Sequence, residues 1–214
     1  NLFAKIQLSD SAKISILTCE PSYDAVYTYF GHTAIRIQDT SNKIDWVFNY
    51  GVFSFDQPYF IPMFIKGATG YELGISYTTT FLNNYKQRGS TVFEQTLNLT
   101  ADEKQKLWDA LMLNYEPENR MYRYNFVFDN CATRPCTMLA LCCEGELVYG
   151  GFLKKTTYRK LVEEHVGSDS WLKFGIDLVF GTDADQPIGL NNEDLFLPTH
   201  VMQKIKHAII VNEN

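Results

Sequence analysis

The sequence predicts an α+β domain in which an antiparallel sheet packs against helices. The first observation is the stretch from about residue 33 to residue 50, where apolar and polar side chains alternate on both sides of the turn-forming run DTSNK, the pattern of a β-hairpin. The second is a capping box, in which Thr100 is followed by Glu103 and then by apolar side chains at helical spacing. Strand periodicity therefore dominates the first part of the chain and helical periodicity the later part.

The other elements are predicted from the same periodicities and from the prolines and glycines between them. Strands are expected over residues 13–18, 71–77 and 91–99, extended chain over 121–128, and helices over 79–87, 129–145, 156–166 and 169–180 and from Pro198 onward. Two prolines interrupt the aromatic stretch 53–67, which indicates a short broken helix or a lid-like loop. We expect a single domain over residues 1–214, with the sheet and a cysteine-bearing helix in about 1–150 and a helical extension in 151–214.

Composition and charge exclude several classes of function. The chain has 214 residues and a net charge of −6 without a cluster of Lys and Arg that would neutralise phosphates, so a nucleic-acid partner is not expected. The longest unbroken apolar run, about residues 138–143, is far shorter than the roughly 20 residues of a membrane-spanning helix. Motifs typical of zinc sites, P-loops, dinucleotide sites and serine hydrolases do not occur, so no metal and no cofactor are expected.

Cys131 is the best candidate for a nucleophile among the five cysteines. The extended segment before it and the helix predicted after it place its thiol at a strand-to-helix corner, with a capping residue supplied by Asp129 or Asn130 just ahead. A helix N-terminus lowers a thiol pKa from about 8.5 toward ~3.5 to 7.5, and the thiolate is the reactive form. Cys136 lies too far into the helix for this effect, and Cys142 and Cys143 are predicted as core residues.

A cysteine nucleophile needs a base, and His32 is the preferred partner among the four histidines. It follows Gly31 and begins a predicted strand, so its imidazole can project from the end of a rigid sheet. His165, beside two glutamates on a predicted helix, is the alternative. Asn49, on the returning strand of the hairpin, is the candidate for orienting the imidazole, with Tyr50 next to it.

Two arginines near these motifs suit contact with a phosphate group, because a guanidinium donates two parallel hydrogen bonds. Arg36 lies on the predicted histidine-bearing strand, and Arg134 lies in the predicted cysteine-bearing helix. Together with Tyr50 and Asn130, they are the predicted substrate-binding residues. An internal ion pair is the alternative role for each arginine.

Motifs that occur in order along the chain carry a resemblance to a known family. They are FGHTAIRIQD, FNYGVFSF, NLTADEKQ and YRYNFVFDNCATRP, and the late segments WLKFGIDLVFG and FLP extend the likeness over most of the chain. The sequence resembles the bacterial DUF4105 family, which is associated with the N-terminal periplasmic domain of the Bacteroides lipoprotein N-acyltransferase. That family is similar to papain-like folds of the permuted kind, such as the NlpC/P60 and lecithin:retinol acyltransferase groups, in which the histidine strand precedes the cysteine helix.

The resemblance implies a periplasmic enzyme that moves a fatty acyl chain from a phospholipid to the N-terminal amine of a lipoprotein through a cysteine thioester. Cys131 would be the nucleophile and His32 the base. Pro135 is a departure, because a proline inside the cysteine helix removes a backbone donor and is expected to kink the helix or to delay its start. A membrane-embedded part, which the resemblance implies for the complete protein, is not expected within these residues.

Two other functions remain open from the residues alone. A papain-like cysteine peptidase or amidase acting on peptidoglycan would use the same Cys131 and His32 on an amide bond. A non-catalytic envelope module would keep Cys131 as a structural thiol. Thiol reactivity separates an enzyme from a module, and the shape of the substrate groove separates a lipid from a peptidoglycan substrate.

Overall fold

The computed structural model describes residues 6–22, 28–53, 70–151, 155–166, 182–189 and 192–212. At its centre is a six-stranded antiparallel sheet with the strand order β5-β1-β2-β3-β4-β6. The strands are β1 (Lys13–Cys19), β2 (His32–Asp39), β3 (Ile44–Val52), β4 (Gly70–Tyr77), β5 (Val92–Thr96) and β6 (Met121–Arg123). The predicted hairpin is β2 and β3, and the predicted α+β class with an antiparallel sheet is confirmed.

The described part of the chain also contains five α-helices. They are α1 (Thr78–Gln87), α2 (Ala101–Asn114), α3 (Thr133–Cys142), α4 (Tyr158–Val166) and α5 (Pro198–Ile205). The start of α2 confirms the predicted capping box, because Thr100 Oγ1 accepts from the Glu103 amide at 3.2 Å and Glu103 Oε2 accepts from the Thr100 amide at 2.8 Å. Local side-chain chemistry therefore fixes where this helix begins.

Both faces of the sheet are buried, and strand alternation assigns each side chain to one of them. One face packs against α2 and α3 and forms the main core, to which Ile35 and Phe48 contribute. The opposite face packs against α1, and its cluster contains Leu17, Cys19, Ala34, Val47 and Phe81. His32 lies on this second face, because it is paired with Cys19 across the β1–β2 ladder.

The segment between β6 and α3 differs from the prediction. Residues 121–128 were expected to be extended, but the strand ends at Arg123 and residues 125–129 form a tight turn closed by paired backbone hydrogen bonds between Asn125 and Asp129. The cause is the Asn125 side chain, whose Oδ1 accepts from the amides of Val127 and Phe128 at 3.0 Å each. The cysteine helix was expected from residue 129, but it begins at Thr133, so Cys131 lies just before the first residue of the helix.

In the C-terminal part, the helices predicted over 156–166 and from Pro198 are present as α4 and α5. Besides α4 and α5, it contains the short strands β8 (Thr156–Thr157), β9 (Pro187–Ile188) and β10 (Ile209–Val211), of which β10 pairs with β7 (Glu146–Val148). The helix predicted over 169–180 and most of the lid predicted over 53–67 lie outside the described residues. Phe30 shares a buried cluster with Leu161, Phe196 and Leu197, so the C-terminal part packs against the segment just before His32.

Candidate active site

His32 and Asn49 lie on one face of the sheet, at the same end. β2 and β3 pair so that Ile35 is opposite Phe48, and this register puts His32 diagonally across from Asn49. The imidazole Nε2 lies 3.3 Å from Asn49 Oδ1. The structure therefore brings the predicted base into contact with the residue predicted to orient it.

The surroundings of Asn49 determine which imidazole nitrogen carries a proton. Its Nδ2 lies 3.3 Å from the carbonyl oxygen of Val47, which can only accept a hydrogen bond, and 3.3 Å from Ser76 Oγ. The amide oxygen of Asn49 therefore faces the imidazole and accepts from a protonated Nε2. Nδ1 of His32 is left with the lone pair, and it is the nitrogen that can act as a base.

Gly31 and the aromatic rings of α1 enclose the imidazole. Gly31 has a φ of +74°, and a Cβ at this position would collide with the carbonyl oxygen of Cys19, so glycine is required before His32. The imidazole is nearly parallel to the Tyr85 ring, with centroids 6.4 Å apart and an interplanar angle of 14°. Burial lowers the pKa of His32 to about 4, although the hydrogen bond with Asn49 acts in the opposite direction, so the imidazole is neutral at pH 7.

Asn130 shapes the turn that carries the cysteine. Its Oδ1 accepts from the amides of Ala132 at 2.8 Å and Thr133 at 2.9 Å, which caps the start of α3. Its Nδ2 donates to the carbonyl oxygens of Phe126 at 2.6 Å and Phe196 at 2.8 Å. Since Asn130 is 2% exposed and its amide is used internally, the structure places it as a positioning residue rather than as the predicted substrate contact.

The Cys131 thiol reaches the same end of the sheet as the imidazole and its amide partner. Its sulfur lies near the backbone amide of Thr33, its own amide and the Tyr124 hydroxyl, each of which acts to lower the pKa of the thiol. Thr33 is the residue after the predicted base. The Cys131 Cβ also lies 3.6 Å from the place where a Cβ on Gly51 would stand. The three residues predicted as catalytic therefore converge on the adjacent ends of β2 and β3.

Burial keeps Cys131 in its thiol form. It raises the pKa of Cys131 to about 11, and the hydrogen bonds from Thr33, from its own amide and from Tyr124 lower the pKa by less. The prediction of a thiol acidified by a helix N-terminus is therefore wrong. The reason is that the enclosure of the thiol raises its pKa by more than the nearby donors lower it.

Pro135 does not disturb the cysteine helix. It is the third residue of α3, where the backbone amide has no acceptor within a helix in any case. The kink expected at this proline from the sequence is therefore unnecessary. The alternative base, His165, lies in α4, and its Nδ1 is 2.9 Å from the carbonyl oxygen of Leu161 in the same helix.

Both arginines that were predicted to bind substrate form internal ion pairs. Arg36 bonds Asp45 through Nε and Nη2 at 2.8 and 2.9 Å, and its Nη1 bonds Glu94 at 2.9 Å. Arg134 bonds Asp129 through Nε at 2.5 Å and Nη2 at 2.8 Å. Both guanidinium groups therefore form the internal ion pairs that were the alternative to substrate binding.

Tyr50 lies in the main core, on the face of the sheet opposite Asn49. It is 1% exposed, and its hydroxyl accepts from Asn114 Nδ2 at 3.0 Å. Burial raises its pKa to about 12. Its position is that of a core residue rather than of the predicted substrate contact, because adjacent residues of a strand point to opposite faces.

Sequence reasoning missed the tyrosines around the thiol. The Tyr124 hydroxyl lies near the Cys131 sulfur, and the Tyr124 ring stacks on Tyr71, with ring centroids 4.4 Å apart and an interplanar angle of 26°. Tyr122 has its hydroxyl beside Gly51. The signal that was available is the recurrence of aromatic residues at every second position in YRYNF, just before the cysteine.

Comparison with known proteins identifies the family. The family model described as the Lnb N-terminal periplasmic domain matches residues 4–164, which include the candidate site. No curated protein and no solved structure gives a significant match. In the described segments, no helix is long and apolar enough to cross a membrane. Because the match covers more than half of the chain, the protein belongs to the Lnb N-terminal periplasmic domain family, whose description gives a periplasmic location.

Proposed function

We propose that this domain is a thiol-dependent acyltransferase, in which Cys131 takes a fatty acyl chain from a phospholipid and passes it to the N-terminal amine of a lipoprotein. The observation that carries the proposal is that the Cys131 thiol lies beside the backbone amide of Thr33, the residue after His32, at the end of the sheet where His32 bonds Asn49. A nucleophile, a base and a group that orients the base are what acyl transfer through a covalent intermediate requires. Membership of a periplasmic Lnb-type family supports the lipoprotein substrate.

In the first half-reaction, the thiol of Cys131 attacks the ester carbonyl of the phospholipid. The S–C bond forms while Nδ1 of His32 takes the thiol proton, and the carbonyl π electrons move to the oxygen. When the tetrahedral intermediate collapses, the bond to the glycerol oxygen breaks and His32 returns the proton to that oxygen. The products are a Cys131 thioester and a lysophospholipid.

In the second half-reaction, the lipoprotein amine attacks the thioester carbonyl. An amide bond forms, the S–C bond breaks, and the proton lost by the amine passes through His32 to the departing sulfur. Asn49 accepts the hydrogen bond of Nε2–H, so Nδ1 carries the lone pair at the start of each half-reaction. Because a phospholipid donor resides in a bilayer, the proposal requires the complete protein to work attached to a membrane.

The neutral resting state defines how His32 would act. With the thiol pKa near 11 and the imidazole pKa near 4, the neutral pair is strongly favoured over a thiolate and an imidazolium. The proton therefore leaves the sulfur as the S–C bond forms, which is general-base catalysis rather than attack by a preformed thiolate.

A mass-spectrometric assay tests the proposal. The protein is incubated with vesicles of a palmitoyl phospholipid, and a palmitoyl adduct that hydroxylamine removes is sought on the Cys131 peptide. We expect the adduct in the wild type, none in Cys131→Ala, and a rate about 10² to 10⁴ times lower in His32→Ala. Cys143→Ala is the matched control, because Cys143 is also half-buried and its pKa is also raised to about 11.

A synthetic lipopeptide with a free N-terminal amine completes the assay, and its acylation should consume the adduct. Absence of an acyl adduct on Cys131 in the wild type would contradict the proposal. Cleavage of peptidoglycan fragments that depends on Cys131 would instead favour the amidase or peptidase alternative. If neither reaction depends on Cys131, the domain is a non-catalytic envelope module.

A further inference from the structure

A buried hydroxyl without a partner lies beside the candidate nucleophile. Tyr122 Oη is buried and makes no hydrogen bond in the described structure. Buried polar groups in folded proteins are nearly always paired, because an unpaired one loses its hydration without compensation. An orphaned hydroxyl next to a reactive group therefore indicates a partner that arrives with the substrate.

Space for such a partner lies over Gly51. A Cβ built on Gly51 would stand 3.6 Å from Cys131 Cβ, 3.6 Å from Tyr124 Cε2 and 3.9 Å from Tyr122 Oη. Gly51 has a φ of +91°, a conformation that side-chain-bearing residues rarely adopt, so no side chain of residue 51 occupies this position. A small group bound there would touch both the cysteine and the tyrosine hydroxyl.

The Tyr122 ring is held in place by its neighbours. The Arg134 guanidinium lies 3.5 Å from the ring centroid, and Arg134 is itself fixed by its two hydrogen bonds to Asp129. The ring also packs against Tyr50 and Tyr71, with centroids 6.2 and 6.5 Å away. Burial raises the pKa of Tyr122, so the hydroxyl keeps its proton and remains a donor. A rigid, desolvated donor is what stabilisation of a developing charge requires.

We propose that Tyr122 is a catalytic residue, whose hydroxyl donates a hydrogen bond to the carbonyl oxygen of an ester or thioester bound over Gly51. The proposal rests on the proposed role of Cys131 as the nucleophile that accepts the acyl group. As the sulfur adds to the carbonyl carbon, the π electrons move to the oxygen, and the Tyr122 O–H stabilises this oxyanion without transferring its proton. When the intermediate collapses, the electrons return to the carbonyl and the leaving group departs.

Two reactions of the same thiol separate this role from a structural one. Acylation by p-nitrophenyl butyrate passes through an oxyanion, whereas alkylation by iodoacetamide does not. Tyr122→Phe removes only the hydroxyl, and the fold should tolerate the loss because that hydroxyl has no partner to leave unpaired. We expect acylation of Cys131 to become about 10 to 100 times slower while alkylation is unchanged.

Tyr149→Phe is the matched control, because the Tyr149 hydroxyl has a partner, the carbonyl oxygen of Cys136 at 3.4 Å. This control should leave both rates unchanged. Equal loss of acylation and alkylation in Tyr122→Phe, or no loss of either, overturns the role of Tyr122. Absence of Cys131 acylation in the wild type overturns both this role and the proposed function. If the synthetic ester acylates Cys131 but phospholipid does not, only the lipid substrate is refuted. The comparison of acylation with alkylation in Tyr122→Phe then still tests the role of Tyr122.

Discussion

The pH dependence of Cys131 alkylation distinguishes a neutral thiol and imidazole from a thiolate–imidazolium pair. Burial raises the pKa of Cys131 to about 11 and lowers the pKa of His32 to about 4. Between these two values both groups are neutral, and only a small fraction of the thiol is ionised. An ion pair would reverse both shifts and keep the thiolate fully populated down to acidic pH.

The expected magnitude follows from the thiolate fraction. With a pKa of about 11, this fraction is ~10⁻⁴ at pH 7 and grows about tenfold with each pH unit. The rate of Cys131 alkylation should therefore rise about 100-fold between pH 7 and pH 9. A thiol with the ordinary pKa of about 8.5 would begin to level off within the same range.

The assay is timed labelling of the native protein with iodoacetamide, followed by peptide mass spectrometry. Cys143, whose pKa is also raised to about 11, should give a parallel pH profile and serves as the internal reference. His32→Gln should leave the thiol pKa, and therefore the tenfold rise of the Cys131 alkylation rate per pH unit, unchanged, because a neutral imidazole does not stabilise a thiolate by charge. If the rate of Cys131 alkylation is the same from pH 5 to pH 9 in the wild type and falls in His32→Gln, the reasoning is refuted, and Cys131 and His32 form a thiolate–imidazolium pair.

Three predictions concern stability. Asn130→Ala removes the cap of α3 and the donor to two carbonyl oxygens, of which that of Phe196 is buried and that of Phe126 is partly buried. The free energy of unfolding should therefore fall by about 2 to 4 kcal/mol in urea titrations, and a loss below about 1 kcal/mol would contradict this role. The pKa of His32 is about 6.5 in the unfolded chain and about 4 in the folded protein, so the unfolded chain binds the proton more tightly. The free energy of unfolding should therefore decrease as the pH falls from 6.5 to 4, by at most about 3 kcal/mol. His32→Gln should remove that part of the pH dependence, and an unchanged profile would argue against the buried neutral imidazole. Gly31→Ala should lower the melting temperature more than Gly89→Ala. Both glycines have a positive φ, but only a Cβ on Gly31 would collide with a backbone atom, the carbonyl oxygen of Cys19. Equal changes in melting temperature would show that this collision is readily relieved.

Local patterns predicted the elements whose causes are local. The β2–β3 hairpin follows from side-chain alternation around a turn, and the start of α2 follows from the reciprocal bonds of Thr100 and Glu103. The segment before Cys131 was predicted incorrectly, because the side chain of Asn125 competes for backbone amides and turns the chain where apolar alternation suggested a strand. In this segment, the side-chain hydrogen bonds of Asn125 favour a turn more strongly than the alternation of apolar residues favours a strand.

The sequence by itself determined which residues meet at the end of the sheet, since His32 begins one strand of the hairpin and Asn49 lies near the end of the other. Only the tertiary structure decided their protonation, because the pKa values of Cys131 and His32 depend on how far packing removes them from water. The tertiary structure also decided that the Tyr122 hydroxyl and Cys131 both lie next to Gly51. This arrangement requires both the pairing of β4 with β6, which positions Tyr122, and the turn before α3, which positions Cys131. Contacts between residues distant in the chain depend on register and packing, which single-residue patterns do not specify.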